Sequence, residues 1–527
     1  MLPRPWRTLL ALGICALALS APAEDKPRHV VLVVWDGMRP DFVTERYAPT
    51  LNKLAHEGVR FRNHHSVYPT ATDVNGAALA TGAYPNRNGL FGNLAFRAAI
   101  NPRQPVDTAD PDIVSRGDQI SGGKYLALPT IAEVVRGAGK KVALASTKSV
   151  AVLFDRHNDW TIARTRDKQL TIFAAAPMSG AVSEATTALL GPFLIESNAT
   201  AAQRNTYTTR ALTEVLWRNG MPEFSLLWLS EPDLSQHNFA PGSREAIAAI
   251  KAVDENLATV LGALHKKQVR DSTDIFVVSD HGFSTIKRSV DVVGLLNKSG
   301  FHAGEEFPET AKPGDILICG NGGSLLFYVK DHDSAVVGRL VEWLEQSDFA
   351  GIVFADKGKG AFPLSRAYID VADPPDVVMS FRWYGDKNQF GVPGLIDADW
   401  SRPAGEGTHA TLSPYDVHNT LIAVGPHLHR GFEDDLPTGN VDLAPTVLRI
   451  LGIAAPAHLQ GRELAEALAE NEGSTFVSQG RIESTEHVIS DGTQGPTLKI
   501  SSVHDSDYID QGDSEVLKEP NATAPAR

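Results

Sequence analysis

Three apolar runs in this 527-residue chain end at side chains that commonly bind metals or transfer protons, and this pattern constrains the fold most strongly. Runs so rich in β-branched residues are typical of buried parallel strands. The runs and the residues that follow them are 29–35 before Asp36, 224–229 before Asp233 and His237, and 274–279 before Asp280 and His281. Because open α/β sheets carry their chemistry at the carboxyl ends of the strands, we expect these side chains to meet at one edge of one sheet.

The segment after the first run supplies two further polar groups. Thr72 precedes a predicted small-residue helix over 76–82, and a hydroxyl at a helix start lies where backbone N–H groups favour an anion. The loop over 84–93 ends at Asn93, whose amide is a hydrogen-bond donor. A carboxylate, a hydroxyl and a donor in one supersecondary unit are the groups needed to attack and stabilise a tetrahedral oxyanion.

The candidate metal ligands are three carboxylates and three imidazoles at strand ends and in a Gly-rich loop. They are Asp36, Asp233, His237, Asp280, His281 and His409. This set is suited to two zinc ions, with Thr72 completing one coordination shell. Lys148 follows a predicted strand over 141–146 and is interpreted either as a solvated side chain or as one that reaches a phosphate. The remaining histidines, including His64, His65 and His418, are interpreted as ordinary core or surface residues.

Composition excludes some classes of function. The chain is 43% hydrophobic and 21% charged, which is typical of a globular protein, and its net charge is −14. This charge argues against a protein that binds duplex nucleic acid through a basic surface. It is compatible with a small phosphorylated substrate, because bound cations can invert the local charge.

The first 23 residues resemble a secretory signal. Arg4 and Arg7 precede an apolar stretch over 9–19 and a cleavage pattern that ends at Ala23. After its removal one cysteine remains, Cys319, so we expect no intrachain disulfide. A large exported chain without disulfides favours a bacterial periplasm, and the sequence predicts no stable membrane anchor.

The domain organisation follows from changes in the pattern along the chain. We predict a signal peptide over 1–23 and one α/β catalytic domain over 24–472, whose central, mainly parallel sheet lies between helices. Within that domain, residues 290–400 are predicted to be a small α+β insertion that forms a cap over the site. A C-terminal β appendage over 473–511 and a disordered tail over 512–527 complete the prediction.

Together the motifs resemble the alkaline phosphatase superfamily, and within it the type I phosphodiesterase/nucleotide pyrophosphatase branch. The resemblance covers residues 28–455 in the motif order of that branch. The matching motifs are Asp36-Gly37, Pro69-x-x-Thr72, Gly89-x-x-x-Asn93, Glu231-Pro232-Asp233-x-x-x-His237, Asp280-His281-Gly282 and Gly407-x-His409. This resemblance implies a mainly parallel central sheet and a site for two zinc ions or other divalent metals. One would be held by Asp233, His237 and His409, and the other by Asp36, Asp280, His281 and Thr72.

The resemblance also implies the reaction. Thr72 would attack phosphorus and form a covalent phosphothreonine, with the metals lowering the pKa of its hydroxyl and stabilising the leaving oxygen. Asn93 would hold a non-bridging phosphoryl oxygen. The expected reaction is hydrolysis of phosphodiester or pyrophosphate bonds.

Two departures from the branch keep other substrates open. Asp73 stands where the branch commonly has an aromatic residue that walls the nucleobase. Lys148 matches a lysine that some phosphomonoesterases and phosphonate hydrolases of the superfamily use, but their second basic residue is Val150 here. The alternatives are therefore a phosphomonoesterase or a phosphonate hydrolase that uses Lys148.

Three further interpretations fit the sequence less well. An inactive exported binding protein should have lost a ligand or the nucleophile, and none is missing. The phosphoglycerate mutase branch does not fit a signal peptide and a threonine nucleophile. A sulfatase lacks its Cys/Ser-x-Pro-x-Arg motif here.

Overall fold

A nine-stranded sheet forms the centre of the protein in the computed structural model, which describes residues 28–156, 161–163, 171–175, 179–358, 360–471, 476–484 and 496–513. The predicted signal peptide and the tail from 514 onward lie outside these residues. In spatial order the strands are Phe432–Gly439, Val59–His65, Leu421–Val424, Thr273–Val278, His29–Trp35, Phe224–Leu229, Val142–Ser146, Thr171–Ala175 and Thr161–Ala163. Only Leu421–Val424 and Thr171–Ala175 run against the other seven described strands, so the predicted mainly parallel sheet is confirmed.

The central strand His29–Trp35 shows why this sequence forms a buried strand. All of its side chains are buried, and alternate residues enter two separate hydrophobic cores. On one face the core is closed by the helices Thr72–Thr81, Ile131–Gly137 and Leu443–Ile450. On the other face it is closed by the helices Pro49–Glu57, Ala201–Arg210 and Arg244–Lys266. A strand buried on both sides needs a continuous apolar run, which is what the sequence has.

The remaining helices are shorter or lie outside these two layers. The α-helices are Pro85–Asn88, Pro111–Ser121, Ser179–Leu190, Asp233–Phe239, Val292–Lys298, Ser334–Glu345 and Pro414–Val417. A π-helical turn, Ala211–Leu216, continues the helix Ala201–Arg210. The 3-10 turns are Pro40–Phe42, Ser149–Leu153, Arg270–Ser272, Lys330–His332, Leu364–Ala367, Asn440–Asp442, Ala465–Ala467 and Ala469–Asn471.

The region predicted as a cap contains its own small sheet. Its strands, in spatial order, are Ala303–Gly304, Ile316–Gly320, Ser324–Val329, Val377–Phe381 and Ala350–Phe354. The helix Ser334–Glu345 packs its apolar side on this sheet. A second sheet of four strands connects this region to the catalytic loops: Trp383–Lys387, Pro393–Ala398, Ser284–Ser289 and Gly407–Thr408. The short strands Leu94–Phe96 and Pro105–Asp107 form a separate hairpin.

The C-terminal part of the described chain is a three-stranded antiparallel sheet. Its strands are Ser478–Ser484, Thr497–Val503 and Ser506–Asp513. The last strand packs on the catalytic region, where Tyr508 donates a hydrogen bond to Asp442 Oδ2 at 2.8 Å and Gly512 N donates to Leu412 O at 2.9 Å. Within the predicted appendage over 473–511, residues 473–475 and 485–495 lie outside the described residues. No helix of the described part has the length and apolar character to cross a bilayer.

Candidate active site

Adjacent parallel strands deliver the predicted site residues to one edge of the sheet. The strand His29–Trp35 pairs in register with both neighbours, so that Val34 lies opposite Trp228 on one side and Val278 on the other. Asp36 therefore follows the central strand between the loops that carry Asp233 and Asp280. Asp36, Asp233, Asp280 and His281 are fully or almost fully buried.

The six candidate ligands converge on two overlapping groups. Asp36, Asp280 and His281 form one group, and Asp233, His281 and His409 form the other, with the ligand atoms of each group within 4.8 Å of one another. His281 Nε2 lies 3.3 Å from Asp280 Oδ2 and 3.6 Å from Asp36 Oδ1. His237 Nε2 lies 3.2 Å from Asp233 Oδ1, beside the second group.

Each of the three histidines is oriented by a backbone carbonyl. The Nδ1 atoms of His237, His281 and His409 lie 2.8–2.9 Å from the carbonyl oxygens of Gly407, Gly282 and Thr70. A carbonyl only accepts hydrogen bonds, so each Nδ1 carries a hydrogen, and in the neutral form of each ring the Nε2 lone pair is directed at the carboxylates. Histidine ligands of metals are held by their second nitrogen in this same way.

The carboxylate oxygens that face these lone pairs lack hydrogen-bond donors. Asp36 Oδ1, Asp233 Oδ1 and Asp280 Oδ2 are buried and accept no hydrogen bond from the part of the chain that the structure describes. Buried, unpaired carboxylate oxygens next to nitrogen lone pairs are costly unless a cation lies between them. The residues present therefore fit divalent metal ions with oxygen and nitrogen ligands.

Lys148 is the positive charge within this acidic cluster. Its Nζ lies 2.7 Å from Asp233 Oδ2 and 3.5 Å from Asp36 Oδ2. Burial alone would lower the pKa of Lys148, but Asp233 and Asp36 raise it overall. Lys148 thus forms ion pairs with two candidate ligands, and its contact with a phosphate stays a prediction.

The pKa values of the three carboxyl groups are shifted in opposite directions by this environment. Burial raises the pKa of Asp36 well above its usual range, and Asp280 raises it further. Burial also raises the pKa of Asp280. Although burial acts against it, Lys148 and then His237 hold the pKa of Asp233 well below its usual range. One lysine is too little positive charge for three buried carboxylates, which again favours bound cations.

Thr72 opens the helix that packs beneath this cluster. Its Oγ1 lies 3.2 Å from His281 Nε2, at the first position of the helix Thr72–Thr81. Every residue of that helix is buried. A Cβ on Gly76 would lie 2.2 Å from Val150 Cγ2, so the small residue lets the helix approach that side chain closely. The nucleophile candidate thus combines a helix N-terminus with a neighbouring metal ligand.

Asn93 lies beside Thr72, and a backbone hydrogen bond fixes the orientation of its side-chain amide. Its Oδ1 accepts a hydrogen bond of 2.8 Å from Asp73 N, the backbone group next to Thr72. Because the oxygen side is used in this way, the Nδ2 hydrogens are left for another acceptor. Asn93 can therefore donate to an anion at the helix start.

Asp73 is buried behind this pair and does not face solvent. Its Oδ2 lies 2.9 Å from Thr108 Oγ1, which also lies 2.7 Å from Gly92 O. The Thr108 hydroxyl is the donor in both contacts, so its single hydrogen is shared between the Asp73 carboxylate and the Gly92 carbonyl. Burial, followed by Asp107, raises the pKa of Asp73 well above its usual range, and the hydrogen bond with Thr108 acts in the opposite direction.

Two positioning residues were missed by sequence reasoning. Trp228 Nε1 donates to Asp36 Oδ2 at 2.8 Å, and Asn440 Nδ2 donates to the backbone oxygen of Asp280 at 2.7 Å. Trp228 lies within an apolar strand and Asn440 starts a C-terminal turn. Only their positions in the sequence could have indicated these two residues. Trp228 is next to last in its strand, and Asn440 lies in a polar stretch before an apolar helix.

A third cluster differs from these two. His65, His418 and Asp510 also lie within metal-ligand distance of one another. Here, however, Asp510 Oδ1 is 2.8 Å from His65 Nε2 and Asp510 Oδ2 accepts from Ser501 Oγ at 2.8 Å. The carboxylate is satisfied by protein groups, so the cluster joins the last strand to the central sheet. The interpretation of His65 and His418 as residues outside the active site is consistent with this arrangement.

Comparisons with known proteins agree with this geometry. The sequence model of the type I phosphodiesterase / nucleotide pyrophosphatase family matches residues 30–348. Similar curated proteins include the bis(5'-adenosyl)-triphosphatase enpp4 of Xenopus laevis, 23% identical over 87% of this chain and 85% of the relative. The venom phosphodiesterase CdcPDE of Crotalus durissus collilineatus is 24% identical over 51% of this chain, and the chain spans 28% of its length.

Solved structures show the same fold. Murine ectonucleotide pyrophosphatase / phosphodiesterase 5 superposes with a TM-score of 0.59 and 16% identity, over 84% of this chain and all of the murine chain. An inactive threonine-to-alanine variant of that murine protein, in complex with AMP, superposes with a TM-score of 0.57 over the same shares of the two chains.

Proposed function

Because this chain belongs to the type I phosphodiesterase / nucleotide pyrophosphatase family, it is a hydrolase of phosphoric esters, and we propose that it cleaves phosphodiester or pyrophosphate bonds of small substrates through a covalent phosphothreonine on Thr72. The observation that carries the proposal is the cluster of imidazole nitrogens and unpaired carboxylate oxygens, in which His281 Nε2 lies 3.2 Å from Thr72 Oγ1. The names of the relatives, which include a dinucleoside triphosphatase and venom phosphodiesterases, support the substrate class.

The proposed cofactors are two divalent metal ions, with zinc as the first choice because of the mixed nitrogen and oxygen ligands. Asp36, Asp280, His281 and Thr72 would hold one ion, and Asp233, His237 and His409 the other. When bound, such ions lower the pKa of a coordinated hydroxyl and stabilise charge on a leaving oxygen.

The chain's own groups perform the remaining tasks. Thr72 Oγ forms a bond to phosphorus as the bond to the leaving oxygen breaks, and the leaving group departs as an alcohol or a phosphate. Water then cleaves the Thr72 ester and restores the hydroxyl. The Asn93 amide donates to a non-bridging phosphoryl oxygen as its charge increases.

The test of this proposal is Thr72→Ala in the metal-loaded protein. We expect turnover of bis-p-nitrophenyl phosphate to fall by about 10⁴-fold or more, because the nucleophile is lost, while metal content stays near wild type. Thr81→Ala is the matched control, since Thr81 lies on the same helix and its hydroxyl donates to Ala77 O. Retention of most activity in the Thr72 variant would show that the nucleophile is wrongly assigned.

Lys148 supports a second candidate, a phosphomonoesterase or phosphonate hydrolase. Its ammonium group lies within 3.5 Å of both Asp233 and Asp36, so it adds positive charge where a phosphoryl dianion would bind. A dianion gains more from that charge than a diester monoanion does. Diester hydrolysis is preferred because the second basic residue of that motif is Val150 here, and Val150 is buried against Gly76.

We also propose that the protein is exported to a bacterial periplasm, on the strength of the signal-like residues 1–23. N-terminal sequencing of the protein from its host should begin at Glu24. A chain recovered from the host cytoplasm that still begins at Met1 would argue against export.

A further inference from the structure

The loop that carries Asn93 is tied at its base by Thr108. Asn93 and Thr108 flank the hairpin formed by the strands Leu94–Phe96 and Pro105–Asp107, and Thr108 N donates to Asn93 O at 2.9 Å. The backbone of Asn93 is thus part of the same ladder as Thr108.

The Thr108 side chain connects this loop to the start of the Thr72 helix. Its Oγ1 is 2.7 Å from Gly92 O, on the loop, and 2.9 Å from Asp73 Oδ2, on the helix. Thr108 is completely buried, and its own carbonyl accepts a hydrogen bond of 2.8 Å from the Tyr125 hydroxyl. The Thr108 hydroxyl therefore joins two segments that are also connected by the hydrogen bond from Asp73 N to Asn93 Oδ1.

We propose that Thr108 is a positioning residue for the reaction, whose hydroxyl holds the Asn93 amide at the distance from Thr72 that phosphoryl transfer requires. The inference rests on the proposed function, because it gives Thr108 no contact with substrate and lets it act through Asn93. Displacing a hydrogen-bond donor of the transition state by about 1 Å lowers the rate on the order of 100-fold, so loss of the Thr108 hydroxyl should have a measurable effect on kcat.

The experiment compares two substitutions that differ in the hydroxyl. Thr108→Val keeps the shape and removes the hydroxyl, whereas Thr108→Ser keeps the hydroxyl and removes a methyl group. With bis-p-nitrophenyl phosphate we expect Thr108→Val to lower kcat by about tenfold or more with KM within about threefold, and Thr108→Ser to stay within about threefold of wild-type kcat. Thr186→Val is the matched control, since Thr186 is equally buried and its hydroxyl donates to Val182 O within a helix outside the site.

A double-mutant cycle with Asn93→Ala separates positioning from a general structural effect. If Thr108 acts through Asn93, Thr108→Val should lower kcat by less than about twofold in the Asn93→Ala background. An equal loss of kcat in both backgrounds would overturn the inference, as would a Thr108→Val variant with wild-type kcat.

The same cycle distinguishes this inference from the proposed function. Asn93→Ala with wild-type kcat would remove the role proposed for Asn93 and the inference with it. Impaired Asn93→Ala together with unimpaired Thr108→Val would remove the inference alone. Metal content of each variant, measured in parallel, shows whether the site is assembled.

Discussion

The ammonium group of Lys148 lies between two carboxylates that the family resemblance assigns to different metal ions. It is 2.7 Å from Asp233 and 3.5 Å from Asp36, with its side chain 20% exposed. In this arrangement Lys148 supplies part of the positive charge that bound cations would otherwise supply. The lysine and the metals therefore compete for the negative charge of the same two carboxylates, although Lys148 contacts their Oδ2 atoms and the oxygens without a described donor are their Oδ1 atoms.

This competition predicts two opposite effects of Lys148→Met. Zinc should bind about tenfold more tightly or better, because a unit charge a few Å away at an effective dielectric constant of about 20 contributes several kcal/mol. The metal-free protein should melt at a lower temperature, because two buried carboxylates lose their counter-ion. Competition with a chromophoric chelator gives the first quantity and thermal unfolding in EDTA the second.

The exposed lysine Lys53, paired only with Glu57 among the described residues, provides the control. Lys53→Met should leave both quantities unchanged. Zinc affinity that is unchanged or weaker in Lys148→Met would mean that the lysine does not compete with cations.

At the scale of elements, the features that sequence reasoning predicted are those determined by local pattern. Apolar β-branched runs followed by Asp are enough to predict buried parallel strands, and parallel strands in one sheet bring their ends together. The convergence of Asp36, Asp233 and Asp280 therefore follows from the amino-acid pattern alone. The hydrogen bonds of Thr108 with Asp73 and of Asn440 with Asp280 could not be predicted in this way. Each of them joins two segments that are far apart in the sequence, and no periodic pattern or motif relates the two segments.

Helix boundaries show a similar limit. The Ala/Thr-rich stretch over 201–216 is an α-helix over Ala201–Arg210 that continues as the π-turn Ala211–Leu216. Helix propensity predicts helical backbone here, but it does not distinguish an α-helical turn from a π-helical turn, in which each hydrogen bond spans one more residue. In contrast, the capping box at Thr200 and Gln203 fixes the start of the helix, and such a box can be read from the sequence.

Gly37 gives a prediction about the tip of the central strand. Its φ is +70°, and a Cβ there would lie 2.9 Å from Phe283 Cδ2 and 3.2 Å from Asp233 Cβ. Gly37→Ala should lower the free energy of unfolding by about 2 kcal/mol through left-handed strain and overpacking. It should also weaken zinc binding, because Asp36 and Asp233 are pushed apart. Urea unfolding and zinc titration measure the two effects.

A glycine in open space provides the opposite case. Gly262 is exposed in the middle of the helix Arg244–Lys266, with no described atom within 4 Å of a built Cβ. Gly262→Ala should raise the free energy of unfolding by about 0.5–1 kcal/mol. A Gly37→Ala variant as stable as wild type, with unchanged zinc affinity, would show that the strand tip tolerates displacement.

At the scale of the whole molecule, three regions distant in sequence meet around the base of the site. The last strand contacts the central sheet through His65 and Asp510, and contacts Trp383, within the predicted cap region, through Gly512 O. Residues 496–513 thus bridge the catalytic sheet and the smaller sheets. Sequence reasoning predicted strands at this end of the chain, with a sheet edge as the simplest packing partner, but not these contacts. Hydrophobic alternation identifies a strand and its faces but not the surface that it covers.

Buried histidines in this region predict a loss of stability on acidification. Burial lowers the pKa of His64 to about 3, so the unfolded chain takes up a proton below about pH 6.5 that the folded chain does not. Stability is then present at pH 7 and is lost as pH falls. For this residue the loss between pH 7 and pH 5 is about 2 kcal/mol.

His64→Gln should reduce the pH dependence accordingly. In EDTA, the difference in free energy of unfolding between pH 7 and pH 5 should be smaller than in wild type by about 2 kcal/mol. His302→Gln, at an exposed position, should leave that difference unchanged. An identical pH dependence in His64→Gln and wild type would show that His64 is not the group that titrates.

The central claim, that the site hydrolyses phosphodiesters, is tested most directly by comparing kcat/KM of the zinc-loaded protein on bis-p-nitrophenyl phosphate and p-nitrophenyl phosphate. The proposed reaction predicts a preference for the diester of about tenfold or more, since Lys148 lacks the second basic residue that a dianion needs. A preference of that size for the monoester would contradict it. In that case Lys148 and Asn93 would form the clamp for a phosphoryl dianion.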